Sequence, residues 1–264
     1  MKRYCPACDD HHDTAEKLCP ACAGVLVDDD EASLLGSLVD GKYEVLAVLA
    51  RGGMGVVYRA RQKYLGREVA LKVLRADIPR GDEAARRFLL EARAVSNLKS
   101  PHTVTIHDFG VAPEGFLYFV MELLEGRSLD HVMNMGQRLG LHRTLRIVLQ
   151  VCHSLAEAHA LRVWHRDIKP GNVFVSKTRE GMEHAKVLDF GVAKYADLAE
   201  DLTTPGVVIG TAGYLSPEQA MGEAVDGRAD IYSLGVLTHE MLTGQRLFTG
   251  RGPALLLKQI KDPP

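Results

Sequence analysis

Asp167, Lys169, Asn172 and Asp189 bring two carboxylates, an ammonium and an amide together in a short stretch of chain. Phosphoryl transfer needs a carboxylate to orient the attacking hydroxyl, a cation on the phosphoryl group in flight, and oxygen ligands for Mg²⁺. These four side chains supply that set. Written out, residues 165–172 are His-Arg-Asp-Ile-Lys-Pro-Gly-Asn, and 189–191 are Asp-Phe-Gly. Any one of these residues alone is an ordinary polar side chain. The ordered set carries the reading, together with what lies upstream.

The upstream text must position a phosphate-bearing ligand. Residues 43–49, Tyr-Glu-Val-Leu-Ala-Val-Leu, have little helical period and read as a strand. Ala50-Arg51-Gly52-Gly53-Met54-Gly55-Val56-Val57-Tyr58 follows. Glycines there let backbone N–H groups approach phosphates with no Cβ in the way, although the same string alone would equally suit a hairpin turn. Val69-Ala70-Leu71-Lys72-Val73 reads as a second strand carrying a lysine. Residues 82–98 place Ala85, Phe88, Ala92 and Val95 at helical spacing, which puts Glu91 on a helix. Residues 104–111 and 116–122 read as two further strands around Pro113-Glu114-Gly115. Residues 141–161 read as a helix whose apolar face holds Leu145, Val148, Leu149, Cys152, Leu155, Ala156 and His159, with Cys152 a core cysteine.

Taken together, these strings resemble the motif set of protein kinases, and in particular the bacterial eukaryotic-like (Hanks-type) serine/threonine kinases. Gly52-Gly53-Met54-Gly55 and the run Gly210-Thr211-Ala212-Gly213-Tyr214-Leu215-Ser216-Pro217-Glu218 carry that closer likeness. The resemblance spans roughly residues 40–264. It implies an α+β, bilobal fold with a small β-rich N lobe (about 40–121) and a helical C lobe (about 125–264). It also implies ATP- and Mg²⁺-dependent transfer to serine or threonine of protein substrates, with Mn²⁺ as an alternative ion.

Roles follow from the resemblance residue by residue. Asp167 is the catalytic base and Lys169 steadies the γ-phosphate. Asn172 and Asp189 hold the metal. Lys72 contacts the α- and β-phosphates and pairs with Glu91. Ala50, Gly52, Gly53 and Gly55 form the glycine loop; Val57, Ala70 and Phe174 sandwich the adenine; Met121 is the gatekeeper, and Glu122 to Leu124 form the hinge. Arg166 receives a phosphorylated activation segment, with Thr203 or Thr204 as the autophosphorylation site. Thr211 bonds Asp167 and Lys169. His165 and Phe190 are structural. Residues 226–235 resemble the start of the family's F helix, with Asp230 holding the catalytic-loop backbone, the helix running to about Leu242 and Gly244 stopping it. Two departures stand out: Ala50 replaces the usual first glycine, and Ser216 the usual alanine before Pro217-Glu218.

The N-terminus carries a separate signal. Cys5-Pro6-Ala7-Cys8 and Cys19-Pro20-Ala21-Cys22 are two matching knuckles, which read as a Cys₄ structural Zn²⁺ site resembling short bacterial zinc ribbons. Two disulfides or a redox pair are the competing reading; a reducing cytosol disfavours disulfides. Residues 1–27 hold few large apolar side chains, whereas ordering them costs about 1–2 kcal/mol each in backbone entropy. Structural zinc supplies on the order of 10–16 kcal/mol, so the segment is expected to fold only with metal. His11 and His12 read as exposed loop residues. Lys2, Arg3 and Lys17 face eight acids between residues 9 and 31, a balance of 3 − 8 = −5 that opposes nucleic-acid binding.

Composition bounds the rest. With 46% hydrophobic and 25% charged residues and a net charge of −2, the 264-residue chain reads as globular with no polyanion partner. It has no apolar run of the ~18–20 residues that span a bilayer and no apolar leader, so the expected setting is the cytoplasm. Residues 1–27 form the ribbon, 28–39 an acidic linker and 40–264 the kinase domain. The family's domain continues beyond a G helix like residues 253–262, so truncation is expected, with Glu218 missing an arginine partner. A pseudokinase-like scaffold or an inactive fragment is the rival reading. Transient homodimerisation follows by analogy only.

Overall fold

The computed structural model describes residues 2–5, 10–14, 19–20, 27–28, 34–52, 55–74, 82–134, 138–178, 180–190, 213–249, 255 and 258–260. The chain divides into two compact units: Met1–Ile78 with Ile106–Leu123, and Pro79–Thr105 with Leu124–Pro264.

The first unit is β-built. Strands β1 (Lys2–Cys5), β2 (Asp10–Asp13) and β3 (Val27–Asp28) form an antiparallel sheet in the order β2-β1-β3. A larger sheet follows from β4 (Leu38–Val39), β5 (Tyr43–Gly52), β6 (Gly55–Gln62), β7 (Glu68–Leu74), β8 (Ile106–Val111) and β9 (Leu117–Glu122). Its strand order is β4-β5-β6-β7-β9-β8. Alternation sorts its faces. Val45, Val56, Tyr58, Ala60, Val69, Leu71, Tyr118 and Val120 share one core. Tyr43 and Tyr118 sit in that core with their hydroxyls satisfied: Tyr43 donates to Asp108 Oδ2 at 2.7 Å and Tyr118 to Asp40 Oδ2 at 2.6 Å. The sheet begins inside the stretch read as linker. Val39 is buried in the core and Leu34 packs against it, so the acidic character of 28–31 does not extend to the residues that follow.

The second unit holds α1 (Asp82–Ser96), β10 (Arg127–Ser128), α2 (Leu129–Asn134), α3 (Leu141–Ala160), β11 (Val173–Lys177), β12 (Glu183–Val187), α4 (Pro217–Met221) and α5 (Gly227–Thr243). Strands β10-β11-β12 form its sheet. Helix α1 falls in this unit. The reason lies in the segment after it. Glu157 of α3 accepts from the backbone N–H of Lys99 (2.9 Å) and Ser100 (2.7 Å), Thr103 and Ser154 share a buried hydroxyl bond of 2.7 Å, and Val104 N–H donates to Val187 O at 3.0 Å.

Helix α3 forms where expected, but its buried face differs. Thr144, Ile147, Val151, Ser154, Leu155 and Ala158 are buried, whereas Leu145 and Leu149 are exposed, Ala156 is exposed and Cys152 is half-buried. A hydroxyl with an interior partner costs little to bury, so Ser154, paired with Thr103, turns inward and tilts the helix away from its most apolar stripe. Helix α5 starts on Asp226, whose side chain caps Arg228 N–H, and ends on Gly244 in the left-handed region at φ 72°. Among the described residues no helix is long and apolar enough to cross a membrane.

Candidate active site

The loop between α3 and β11 is built from below by one carboxylate. Asp230, on the first turn of α5 and 1% exposed, accepts from His165 N–H through Oδ2 (2.9 Å) and from Arg166 N–H through Oδ1 (2.7 Å). His159 Nε2 lies 2.8 Å from the same Oδ2. Burial works to raise the Asp230 pKa. The bond to His159, the nearby His165 ring and the two backbone N–H groups outweigh it, holding the carboxyl below the ordinary range. These bonds fix a strained backbone at Arg166, which sits at φ 63°, a left-handed value that costs a non-glycine residue about 1–3 kcal/mol; Asp189 is left-handed too, at φ 53°.

His165 joins the two stretches that carry the chemistry. It is fully buried; its Nε2 donates to Leu188 O at 2.7 Å and its Nδ1 accepts from Asp167 N–H at 3.2 Å. Burial keeps its pKa below the usual histidine value, which suits an acceptor nitrogen. Its ring lies 4.8 Å from that of Phe190. The charges of Asp167 and Asp189 both act on it, so both carboxylates lie near one imidazole.

The side chains of this loop then converge. Asp167 is 9% exposed, and Lys169 Nζ lies 2.9 Å from its Oδ2. Asn172 ends the 3-10 turn Pro170–Asn172, and its Nδ2 donates to Asp167 O (2.8 Å) and Oδ2 (3.1 Å). That leaves Asn172 Oδ1 as its acceptor. Asn172 O accepts from Leu188 N–H at 2.8 Å, tying the turn to the residue before Asp189. Asp167, Lys169, Asn172 and Asp189 are therefore gathered within the second unit. Arg166 is half-buried; burial pushes its pKa down against the opposing charges of Glu91 and Asp230. Glu91 is on α1, as its helical spacing predicts.

The first unit presents a separate set on the face opposite its core. In register, Ala50 pairs with Val57, Val57 with Lys72, and Lys72 with Phe119, while Ala70 pairs with Met121. Lys72 is 8% exposed and Ala70 is buried beside it in sequence order along β7. Gly52 pairs with Gly55 across the hairpin. Gly55 lies at φ 144°, and a Cβ there would come within 2.0 Å of Val73 O, so this position needs glycine. Glu122 ends β9 and Leu124 is half-buried. Phe174 lies on β11 of the second unit, half-buried and paired with Lys186.

These strings, at these places in the two units, match the family described as protein kinase domain over residues 43–262. The chain belongs to the protein kinase domain family. The kinase domain is of the serine/threonine class: it is 42% identical over 218 residues to the serine/threonine-protein kinase pkn3 of Myxococcus xanthus, covering 81% of this chain and 40% of that protein. It is 40% identical over 235 residues to PknA of Mycobacterium tuberculosis, covering 87% of this chain and 53% of that protein. The chain thus spans about half the length, or less, of these curated relatives. The kinase domain of Mycobacterium tuberculosis PknI is similar in structure, with a TM-score of 0.66 and 28% identity, covering 83% of this chain and 82% of that one.

Several expected positions of the kinase motif set lie outside the described residues: Gly53, Thr203, Thr204 and Thr211, as do Cys8 and Cys22 of the knuckles. Of Cys5 only the backbone is described, at the end of β1. Among the described residues no group of three or more His, Cys, Asp or Glu side chains could hold a metal ion. His12 is not in a loop: it lies on β2, half-buried, with Nε2 3.2 Å from the Sγ of buried Cys19. Sequence reasoning also passed over His159 as a partner of Asp230; its place near the C-terminus of α3, one turn from the loop, was the available signal. Glu218 is half-buried and its charge acts on Arg228 and Tyr232.

Proposed function

We propose that the chain transfers the γ-phosphoryl group of ATP to serine or threonine hydroxyls of proteins, its own activation segment included. The observation that carries this reading is the Asp167 carboxylate, held between Lys169 Nζ at 2.9 Å and Asn172 Nδ2 at 3.1 Å on a loop anchored to Asp230. Asp167 accepts the hydrogen bond of the attacking hydroxyl and takes its proton as the bond to the γ-phosphorus forms and the bond from that phosphorus to the β,γ-bridging oxygen breaks, with ADP leaving. Lys169 stands where negative charge builds on the transferred group. Asn172 Oδ1 and the Asp189 carboxylate are the oxygen donors for Mg²⁺, or Mn²⁺, and they suit a hard cation. The ion, when bound, neutralises phosphate charge and helps hold the phosphates in line.

Lys72 binds the α- and β-phosphates, and Ala50, Gly52, Gly53 and Gly55 offer backbone N–H groups to them. Val57, Ala70 and Met121 of the first unit contact the adenine. Arg166 receives phosphorylated Thr203 or Thr204, and Thr211 orders Asp167 and Lys169 against a serine or threonine acceptor. The setting is the cytoplasm, and transient pairing of two copies supports phosphorylation in trans. The test is phosphoamino-acid analysis after incubation with γ-labelled ATP. Label on serine or threonine, lost in Lys72→Ala, supports the reading. Nucleotide binding without transfer in the wild type would point to a scaffold instead.

Cys5, Cys8, Cys19 and Cys22 hold one structural Zn²⁺ in this reading. The support is the paired knuckle text, the end of β1 at Cys5, and Cys19 at 2% exposure with a histidine beside its sulfur. One zinc per chain by elemental analysis, and collapse of the amide dispersion of residues 1–28 on chelation, are expected. Unchanged spectra after complete metal removal would contradict it.

A further inference from the structure

Asp230 holds the N–H of Arg166, but the carbonyl of the same residue is held from elsewhere. Gln219 Nε2 donates to Arg166 O at 2.9 Å. The N–H at the other end of that peptide plane, on Asp167, is bonded to His165 Nδ1 at 3.2 Å. The Arg166–Asp167 peptide is therefore gripped at both its polar atoms. Arg166 is left-handed at φ 63°, so this plane is set by its partners rather than by local preference.

Gln219 is itself held in one orientation. It is the third residue of α4, and the N-cap Ser216 is fully buried. Ser216 Oγ accepts from Gln219 N–H at 3.4 Å, and Gln219 Oε1 accepts from Ser216 N–H at 3.2 Å. With Oε1 committed to this capping box, the NH₂ end has one direction left, toward the Arg166 carbonyl. The cap alone would accept Glu as readily as Gln. Only an amide accepts at one end and donates at the other. The residues before it are pinned too: Tyr214 O accepts from Ser233 Oγ at 2.7 Å and Leu215 O from Gln259 Nε2 at 3.1 Å.

We propose that Gln219 is a positioning residue, whose side-chain amide ties the peptide bearing Asp167 to the segment 214–219. The seating of that segment then sets the aim of the Asp167 carboxylate, and anything that shifts the segment is read out as a change in the rate of transfer. This rests on the phosphoryl-transfer reading above.

Gln219→Glu separates the clamp from the cap. It keeps the carboxyl-type acceptor for Ser216 N–H and removes the donor to Arg166 O. Steady-state transfer to a protein substrate, thermal unfolding and amide hydrogen exchange are measured on wild type, Gln219→Glu and Gln219→Leu. In Gln219→Glu, kcat falls about tenfold, equivalent to about 1.4 kcal/mol, the KM for ATP stays within about twofold of wild type, the melting temperature is kept, and the Asp167 amide exchanges faster. Gln219→Leu shows the same loss of kcat and also a lower melting temperature, because the cap goes with it. Wild-type kcat and unchanged exchange in Gln219→Glu overturn the inference, as does a loss confined to KM. A wild-type chain that transfers nothing overturns the proposed function instead. Exchange at Asp167 then decides the clamp alone: faster in Gln219→Glu upholds it, unchanged overturns it.

Discussion

Replacing Asp230 with Asn changes one atom of the carboxylate and puts two of its three hydrogen bonds at stake. Asp230 Oδ1 serves Arg166 N–H at 2.7 Å, and Oδ2 serves both His165 N–H at 2.9 Å and His159 Nε2 at 2.8 Å. In Asn one of these oxygens becomes an NH₂ donor. If the remaining oxygen keeps Arg166, the amide faces the His165 N–H and the His159 nitrogen. Bonds to a charged acceptor are worth about 1.5–3 kcal/mol each, and a buried donor left without a partner costs a similar amount. Two such bonds put the loss at about 3–6 kcal/mol in the second unit. The strain of Arg166 at φ 63° acts in the same direction, since nothing else on α5 holds that N–H.

Denaturant unfolding of wild type and Asp230→Asn, followed by a probe in α3 or α5, measures the difference. The pH dependence carries its own sign. Asp230 titrates lower folded than unfolded, so its contribution is present above the ordinary carboxylate range of about pH 4. It is lost as pH falls through the lower folded value. The gap between wild type and variant should therefore be full at pH 7 and shrink below about pH 4. A gap under about 1 kcal/mol at neutral pH, the size of a single ordinary bond, or a gap that widens in acid, would refute the idea that this carboxylate assembles the loop.

Three further outcomes follow from the same geometry. Gly55→Ala places a Cβ within 2.0 Å of Val73 O at φ 144°; it should lower the melting temperature and weaken nucleotide binding at least tenfold by titration, and wild-type affinity would contradict the backbone requirement. Thr103→Val or Ser154→Ala alone strands one hydroxyl of a buried pair at 2.7 Å and should cost about 1–3 kcal/mol. The double variant should cost less than the sum, and strict additivity in the double-mutant cycle would deny the pairing. Tyr118→Phe removes the hydroxyl that reaches Asp40 at 2.6 Å and should lower the stability of the sheet by about 1–2 kcal/mol, with no change expected from Tyr64→Phe, which is exposed.

Much of the second unit's loop was legible because its residues must stand in fixed order along one stretch of chain. Asp167, Lys169 and Asn172 are neighbours in the text and in space, and Asp230 could be assigned from the residues around it. The strands of the first sheet were legible for a similar reason: Leu117 to Val120 are buried on both faces, so their text is continuously apolar. What failed was set by distant partners. The inward face of α3 depends on Thr103 meeting Ser154, a contact between hydroxyls that apolar periodicity cannot register. The start of the sheet at Leu38 lay in a stretch read as linker from the acids at 28–31. His12 beside Cys19 was missed because the strand pairing that aligns β2 with β1 is invisible in so short a stretch.

The central claim is that the Asp167 carboxylate takes the proton of a serine or threonine hydroxyl during transfer. Single-turnover transfer from γ-labelled ATP, run with wild type and Asp167→Asn at equal nucleotide occupancy, measures it most directly. General-base catalysis contributes about 10²–10⁴-fold, so the account predicts a fall in rate of that order with nucleotide binding retained. Transfer by Asp167→Asn at the wild-type rate would contradict it.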